Sequence, residues 1–134
     1  MEPRPKIKIT PSSLDNKLEL TSKIILVIIW TFALYTFWIS PAIIPSHFNA
    51  SGQVDDYGNK LTILILPTLG TLFYFGLTTL NKYPHTFNYM TKITANNAEK
   101  QYAIATRFLR FLKLAILVIF SLILLFIYLT IIGF

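Results

Sequence analysis

Three long apolar stretches constrain this chain more than any other feature of its sequence. They run through residues 24–44, 61–80 and 112–133, and no charged side chain lies in the centre of any of them. A helix that crosses a bilayer needs about 20 predominantly apolar residues, because its backbone polar groups must be satisfied within the segment. The sequence therefore predicts an all-α integral membrane protein with three transmembrane helices.

Composition favours the membrane over a soluble helical bundle. Hydrophobic residues make up 54% of the chain and charged residues 13%, whereas soluble helices keep a polar stripe that these three stretches lack. No small-residue cleavage site follows the first stretch, so we do not expect a removed signal peptide. We predict a polar, basic tail over residues 1–22, with a helical lead-in near Ser13 or Asp15, and a membrane domain over residues 23–134.

The basic residues predict the orientation of the chain. Eleven of the 12 lysines and arginines lie in the tail up to Lys23 or between residues 82 and 113, and only Lys60 lies between the first two stretches. Basic residues beside a span hold that flank in the cytoplasm. We expect the N-terminus inside, the first loop outside and the C-terminus outside. The net charge of +6 is then interpreted as an anchor to anionic lipid, not as a nucleic-acid surface.

The third helix is predicted to be longer than the bilayer. Asn96 and Glu99 have the spacing of a capping box, so we expect the helix to begin near Asn97, to run unbroken to about Ile132 and to project into the cytoplasm. Its first half is amphipathic. The basic residues there are interpreted as snorkelling side chains at the lipid headgroups, or alternatively as a surface for a partner or for lipid.

The two connecting segments carry a more specific signature. The outer loop contains Pro45, His47, Phe48, Asn49, Gly52, Asp55, Tyr57 and Lys60, the second helix contains Pro67, and the inner segment contains Phe87, Asn88, Tyr89, Asn97 and Gln101. With these residues the chain, from about Leu20 to Leu129, resembles the membrane domain of unknown function in the N-terminal part of SdpI-type bacterial immunity proteins. Asp56 departs from that pattern, in which glycine is frequent.

The resemblance implies a multi-pass protein of the bacterial inner (plasma) membrane that works in toxin immunity or in peptide sensing and signalling. It implies an extracellular peptide and a cytosolic regulatory protein as partners, beside the lipid bilayer. The alternative is a channel or transporter subunit that works as a homo-oligomer, and such a subunit needs a polar stripe facing inward.

The outer loop leaves several chemical interpretations open. His47, Asp55 and Asp56 are of the residue types that bind metals or act as acid and base, but a zinc site needs three or four ligands. Alternatively, His47 and Asn49 close the turn and Asp55 pairs with Lys60, or the loop recognises a peptide. The sequence contains no nucleotide-binding, zinc-hydrolase or nucleophile-elbow motif. We therefore expect no enzymatic activity, cofactor or metal.

Overall fold

A computed structural model of the protein describes residues 2–134 as three long helices and one β-hairpin. Helix α1 covers Ser13–Ile39, strands β1 and β2 cover Ile43–Phe48 and Val54–Asn59, helix α2 covers Ile65–Leu80, and helix α3 covers Ala98–Ile131. Single 3₁₀ turns occupy Lys60–Leu64 and Pro84–Thr86. Three helical segments are long and apolar enough to cross a membrane: α1, α3, and α2 together with the 3₁₀ turn before it. The prediction of three such helices is confirmed to that extent.

The all-α prediction is wrong in one element, because the outer loop forms a two-stranded antiparallel sheet. Strand β1 contains the β-branched and aromatic residues Ile43, Ile44 and Phe48, which suit a pleated surface, whereas β2 contributes only Val54 and Tyr57 of this kind. The first span was also predicted to extend too far, since α1 ends at Ile39 instead of residue 44. The cause is Pro41, which disfavours helical backbone at the preceding residue. Ser40 is accordingly extended, with φ −77° and ψ 144°.

Capping explains where α1 begins, but it does not explain the start of α3. Ser12 and Asp15 form a capping box at the start of α1, close to the predicted lead-in. Helix α3 begins beside Asn97 as predicted, but the capping box between Asn96 and Glu99 is wrong, because no side chain caps this helix. Asn97 instead closes the preceding turn, where its side chain accepts from the Thr94 amide and donates to the Lys92 carbonyl.

Helix α3 is a continuous rod of 34 residues, on the order of 50 Å long at 1.5 Å per residue. The predicted unbroken helix is confirmed. It packs along both α1 and α2, and the buried core between the helices includes Ile29, Ala33, Tyr74, Leu117 and Leu124. Many apolar side chains on the other faces are more than half exposed, among them Val27, Leu72, Ile119 and Leu122, which is typical of helices that face lipid.

Small and polar residues join the helices closely. A Cβ added at Gly70 of α2 would lie 3.3 Å from Leu117 Cδ2 of α3, whereas Gly76 has nothing within 4 Å. Gly70 therefore permits a close helix contact. Trp30 of α1 donates from its indole nitrogen to Thr71 Oγ1 of α2 at 2.8 Å.

We call the end of the bundle that carries β1 and β2 the hairpin end, and the opposite end, with the N-terminal tail, the tail end.

Candidate functional site

The motif residues of the outer loop form the hairpin. In the ladder Ile44 lies opposite Gly58, Pro45 opposite Tyr57 and Phe48 opposite Val54, with bulges around His47. Proline lacks a backbone donor and is tolerated at such irregular edges. The turn is closed by Asn49, whose side-chain oxygen accepts from the amides of Ser51 and Gln53 at 2.9 Å each. Turn closure by Asn49 is thus confirmed.

Gly52 completes the turn, because it adopts the left-handed backbone region with φ +79°. Residues with a Cβ are strained there. Gly52 also lies beside α3, since a Cβ at this position would be 3.8 Å from the Phe126 ring. The glycine of the motif therefore serves both the turn and its contact with the helix.

The hairpin is anchored to the helix ends by its other motif residues. The Phe48 ring meets the Phe126 ring of α3 edge-on, with centroids 4.7 Å apart, and Ile44 is buried in the core. The Lys60 ammonium donates to the carbonyls of Phe37 and Ser40 at 3.3 and 3.4 Å. A cation suits the exposed carbonyls at the end of a helix, so Lys60 caps α1.

A pair of polar side chains on the hairpin stays open to water. His47 Nδ1 lies 2.6 Å from Asp55 Oδ1, and the two side chains are 69% and 43% exposed. The predicted pairing of Asp55 with Lys60 is wrong, because Asp55 pairs with His47 at the irregular part of the ladder, while Lys60 is engaged at the end of α1. Tyr57, two residues along β2 from Asp55, is 63% exposed. Among residues 2–134 no three histidine or acidic side chains are grouped to hold a metal ion.

At the tail end, the inner motif lines an apolar groove. Phe87, Asn88, Tyr89 and Gln101 lie along a cavity of about 840 Å³, together with apolar side chains of α3 such as Ile104 and Phe108. Asn97, the remaining residue of the motif, lies instead in the turn before α3. The predicted motif thus separates into four groove residues and one turn residue.

Tyr89 organises the segment between α2 and α3, which the sequence predicts to be the inner loop and which we call by that name. Its hydroxyl donates to the Pro84 carbonyl at 2.7 Å, and its ring lies 5.7 Å from the Tyr102 ring. Burial, aided by Tyr102 and opposed by the Arg4 guanidinium, raises the pKa of Tyr89 to about 12. The phenol therefore stays protonated at physiological pH and keeps its hydrogen bond.

The N-terminal tail, residues 2–12, forms neither helix nor strand, but it is fixed to the inner loop. Arg4 donates to the carbonyls of Phe87 and His85 at 2.6 and 3.1 Å and lies 5.5 Å from the centre of the Tyr89 ring. The Tyr102 hydroxyl donates to the Pro5 carbonyl at 2.9 Å. These bonds tie the tail to the loop and to α3.

An ion-pair cluster joins α1 to α3 beside the tail. Arg107 binds Asp15, with Nε 2.9 Å from Oδ1, and Arg110 binds Glu19 at 3.1 Å. Lys113 binds the other oxygen of Glu19 at 2.6 Å. Asp15 lies in the polar first turns of α1, ahead of the apolar stretch that begins at Ile24. Its hydrogen bond with Arg107 holds the pKa of Asp15 at about 2 in spite of burial.

The snorkelling interpretation is wrong for Lys113, whose side chain is 1% exposed. Besides Glu19, its ammonium donates to Thr78 Oγ1 at 2.9 Å and lies 4.7 Å from the centre of the Tyr74 ring. The sequence spacing could have indicated this ion-pair cluster, since Asp15 and Glu19 are four residues apart and the three cations recur every third residue. Each set therefore shares one helix face.

Comparison with known proteins matches a family model to part of the chain. A family model described as a domain of unknown function (DUF1648) matches residues 24–71, which include most of α1, the hairpin and the start of α2. The chain is also 28% identical to an uncharacterized protein of Archaeoglobus fulgidus over 93 residues. That match covers 61% of this chain and 51% of the relative, so the chain spans about half the length of this curated relative. No solved structure matches the chain.

Proposed function

We propose that this protein is a non-catalytic, multi-pass protein of the inner (plasma) membrane that recognises an extracellular peptide, in toxin immunity or peptide sensing. The proposal rests on the two different roles of the hairpin's motif residues. Phe48, Gly52 and Lys60 hold it on the helix ends, while the side chains of His47, Asp55 and Tyr57 remain open. An ordered surface with exposed polar and aromatic groups suits recognition.

The proposed topology has the hairpin end outside and the tail end in the cytoplasm. It is supported by the basic residues, since the hairpin end holds only Lys60, whereas the tail end holds the other eleven. Basic flanks remain on the cytoplasmic side. The similarity to SdpI-type immunity proteins, drawn from the hairpin and inner-loop motifs, favours the same multi-pass arrangement.

The charge of the hairpin points to a cationic peptide. Asp55 and Asp56 are both exposed, and the ammonium of Lys60 is occupied by backbone carbonyls. The surface therefore offers negative charge that steers a positive ligand. We assign no catalytic role to His47 and Asp55, because both are open to water, which weakens the electrostatic effects that catalysis needs.

The inner groove is the proposed contact for a cytosolic regulatory protein. Its lining combines motif residues with exposed apolar side chains, including Met90 and Phe108. An apolar groove of this kind accepts the apolar face of a helix. Its place beside the fixed tail would let one partner contact both the loop and α3.

The experiment compares a site variant with a matched control in lipid nanodiscs. The double variant His47→Ala/Asp55→Ala removes the exposed pair, and Gln53→Ala changes an exposed residue of the same turn. Binding of cationic and anionic peptides of equal length is measured by fluorescence anisotropy. We expect the wild type and Gln53→Ala to prefer the cationic peptide and the double variant to lose at least tenfold in affinity. Equal affinity in all three proteins, or no preference between peptides, would overturn the proposal.

A further inference from the structure

A basic cavity of about 590 Å³ lies at the tail end, on a different side of α3 from the apolar groove. It is bounded by the tail, by the turn that follows α2 and by α3. Its basic lining residues are Lys6, Lys8, Lys82, His85 and Arg110, and no carboxylate is among the lining residues. A concave surface lined by one sign of charge concentrates ligands of the opposite sign.

The positive charge of this cavity is not neutralised within the protein. Lys6, Lys8 and Lys82 make no ion pair among residues 2–134. Arg110 belongs to the cluster with α1, where three cations face two carboxylates, so that cluster keeps one excess positive charge. The cavity is therefore ready to bind an anion.

The position of the cavity along the bundle identifies the kind of anion. Helix α2 ends at Leu80, and the next residues, Asn81 to His85, line the cavity. The cavity thus begins at the depth where the apolar span of α2 stops, which is where lipid phosphates lie. Tyr83 also lines it, and tyrosine is enriched at this boundary.

We propose that this cavity binds the phosphate headgroup of an anionic phospholipid. Lys6 and Lys8 contact the headgroup from the tail, Lys82 from the end of α2 and Arg110 from α3. The site works in whichever leaflet surrounds the tail end, and under the proposed topology this is the inner leaflet. Since the tail supplies one wall of the cavity, a bound lipid also holds the tail against the inner loop.

The test uses lipid-stripped protein in a neutral detergent. Native mass spectrometry measures the affinity for phosphatidylglycerol and for phosphatidylcholine, and inorganic phosphate is tested as a competitor. The variant Lys6→Ala/Lys82→Ala removes two lining charges, and Lys92→Ala/Lys100→Ala removes two exposed charges from the same end outside the cavity. At roughly fivefold for each lysine near a phosphate surface, the lining variant, which loses two lysines, should lose at least tenfold in affinity for phosphatidylglycerol, and the control less than threefold.

Three outcomes would overturn the proposal. Equal losses in both variants would show diffuse attraction without a site, and equal affinity for the two lipids would show that charge is not recognised. Displacement of phosphatidylglycerol by inorganic phosphate at comparable concentration would assign the site to a free phosphate. A measurement on the wild type alone is independent of the variants' folding: phosphatidylglycerol, but not phosphatidylcholine, should slow amide hydrogen exchange at Lys6 to Ile9.

Discussion

Lys113 and Glu19, which lie 94 residues apart in the chain, are joined at 2.6 Å between Nζ and Oε2. The lysine is almost fully buried and the glutamate is 31% exposed. A charge held out of water is stabilised only when its partner and its hydrogen bonds are in place. Here Glu19, Thr78 and the Tyr74 ring together surround the ammonium, so this pair connects all three helices.

Glu19→Gln should destabilise the protein strongly, because it leaves the Lys113 charge buried without an anion. We expect a loss of about 3 kcal/mol, measured as unfolding in mixed detergent micelles. Lys113→Met removes the charge but preserves much of the volume, so the double variant Glu19→Gln/Lys113→Met should recover part of the loss. Lys23→Met, at an exposed position on α1, is the control and should change stability by less than about 0.5 kcal/mol. Additive losses in the double variant would show that the pair does not interact.

Asp15 predicts how stability depends on pH. Its pKa is about 2 in the folded protein, against an ordinary value of 3.8, so folding favours the charged form. That contribution, about 2 kcal/mol, is fully present above about pH 4 and is lost as the pH falls from 3.8 towards 2. Asp15→Asn should therefore lower stability at pH 7 and reduce the loss of stability between pH 4 and pH 2.

The control for Asp15 is Glu99→Gln, which changes an exposed carboxylate in the first turn of α3. Melting temperatures in detergent are measured from pH 2 to pH 7 for the wild type and both variants. Identical profiles for Asp15→Asn and the wild type would contradict the role given to the bonds between Asp15 and Arg107.

The membrane spans could be predicted from sequence because the bilayer imposes a simple requirement, a run of apolar residues of sufficient length. The continuous α3 was predictable for the same reason. The hairpin was missed because Pro45 weakens a strand pattern and because its register depends on contacts with α3 at Phe126. The turn of the hairpin was easier to predict, since Asn49 and Gly52 are typical turn residues.

The fixed tail could not be predicted with rules applied to single segments, and the ion-pair cluster was missed although the spacing of its residues indicated it. Basic residues next to a span have an ordinary explanation in lipid headgroups, and that explanation concealed their partners on α1. The tail residues form neither helix nor strand, so the hydrogen bonds of Arg4 and Pro5 depend on where the inner loop lies. Four of the five inner-motif residues do line one groove, although the motif did not predict the groove itself.

The fixed tail should be released by loss of two hydrogen-bonding side chains. Arg4→Ala removes the bonds to the inner loop, and Tyr102→Phe removes the bond to the Pro5 carbonyl. At about 1 kcal/mol for each net hydrogen bond, the combined variant should open the tail more often by a factor of at least ten. Limited trypsin digestion, followed as cleavage after Lys6 and Lys8, measures this opening.

Glu2→Ala is the matched control for tail release, because Glu2 is exposed and makes no ion pair within residues 2–134. Its cleavage rate should equal that of the wild type. If the combined variant is cut no faster than this control, the bonds of Arg4 and Tyr102 do not hold the tail.

We propose a three-span protein whose hairpin faces outward and whose inner loop and tail face the cytoplasm. The chain has no native cysteine, so single cysteines at the exposed positions Ser51 and Thr91 report on the two ends without background. The most direct measurement is labelling of Ser51→Cys and Thr91→Cys in intact cells with a membrane-impermeant maleimide, before and after permeabilisation. We expect Ser51→Cys to be labelled in intact cells and Thr91→Cys only after permeabilisation, whereas the reverse pattern, or labelling of both in intact cells, would rule out the proposed topology.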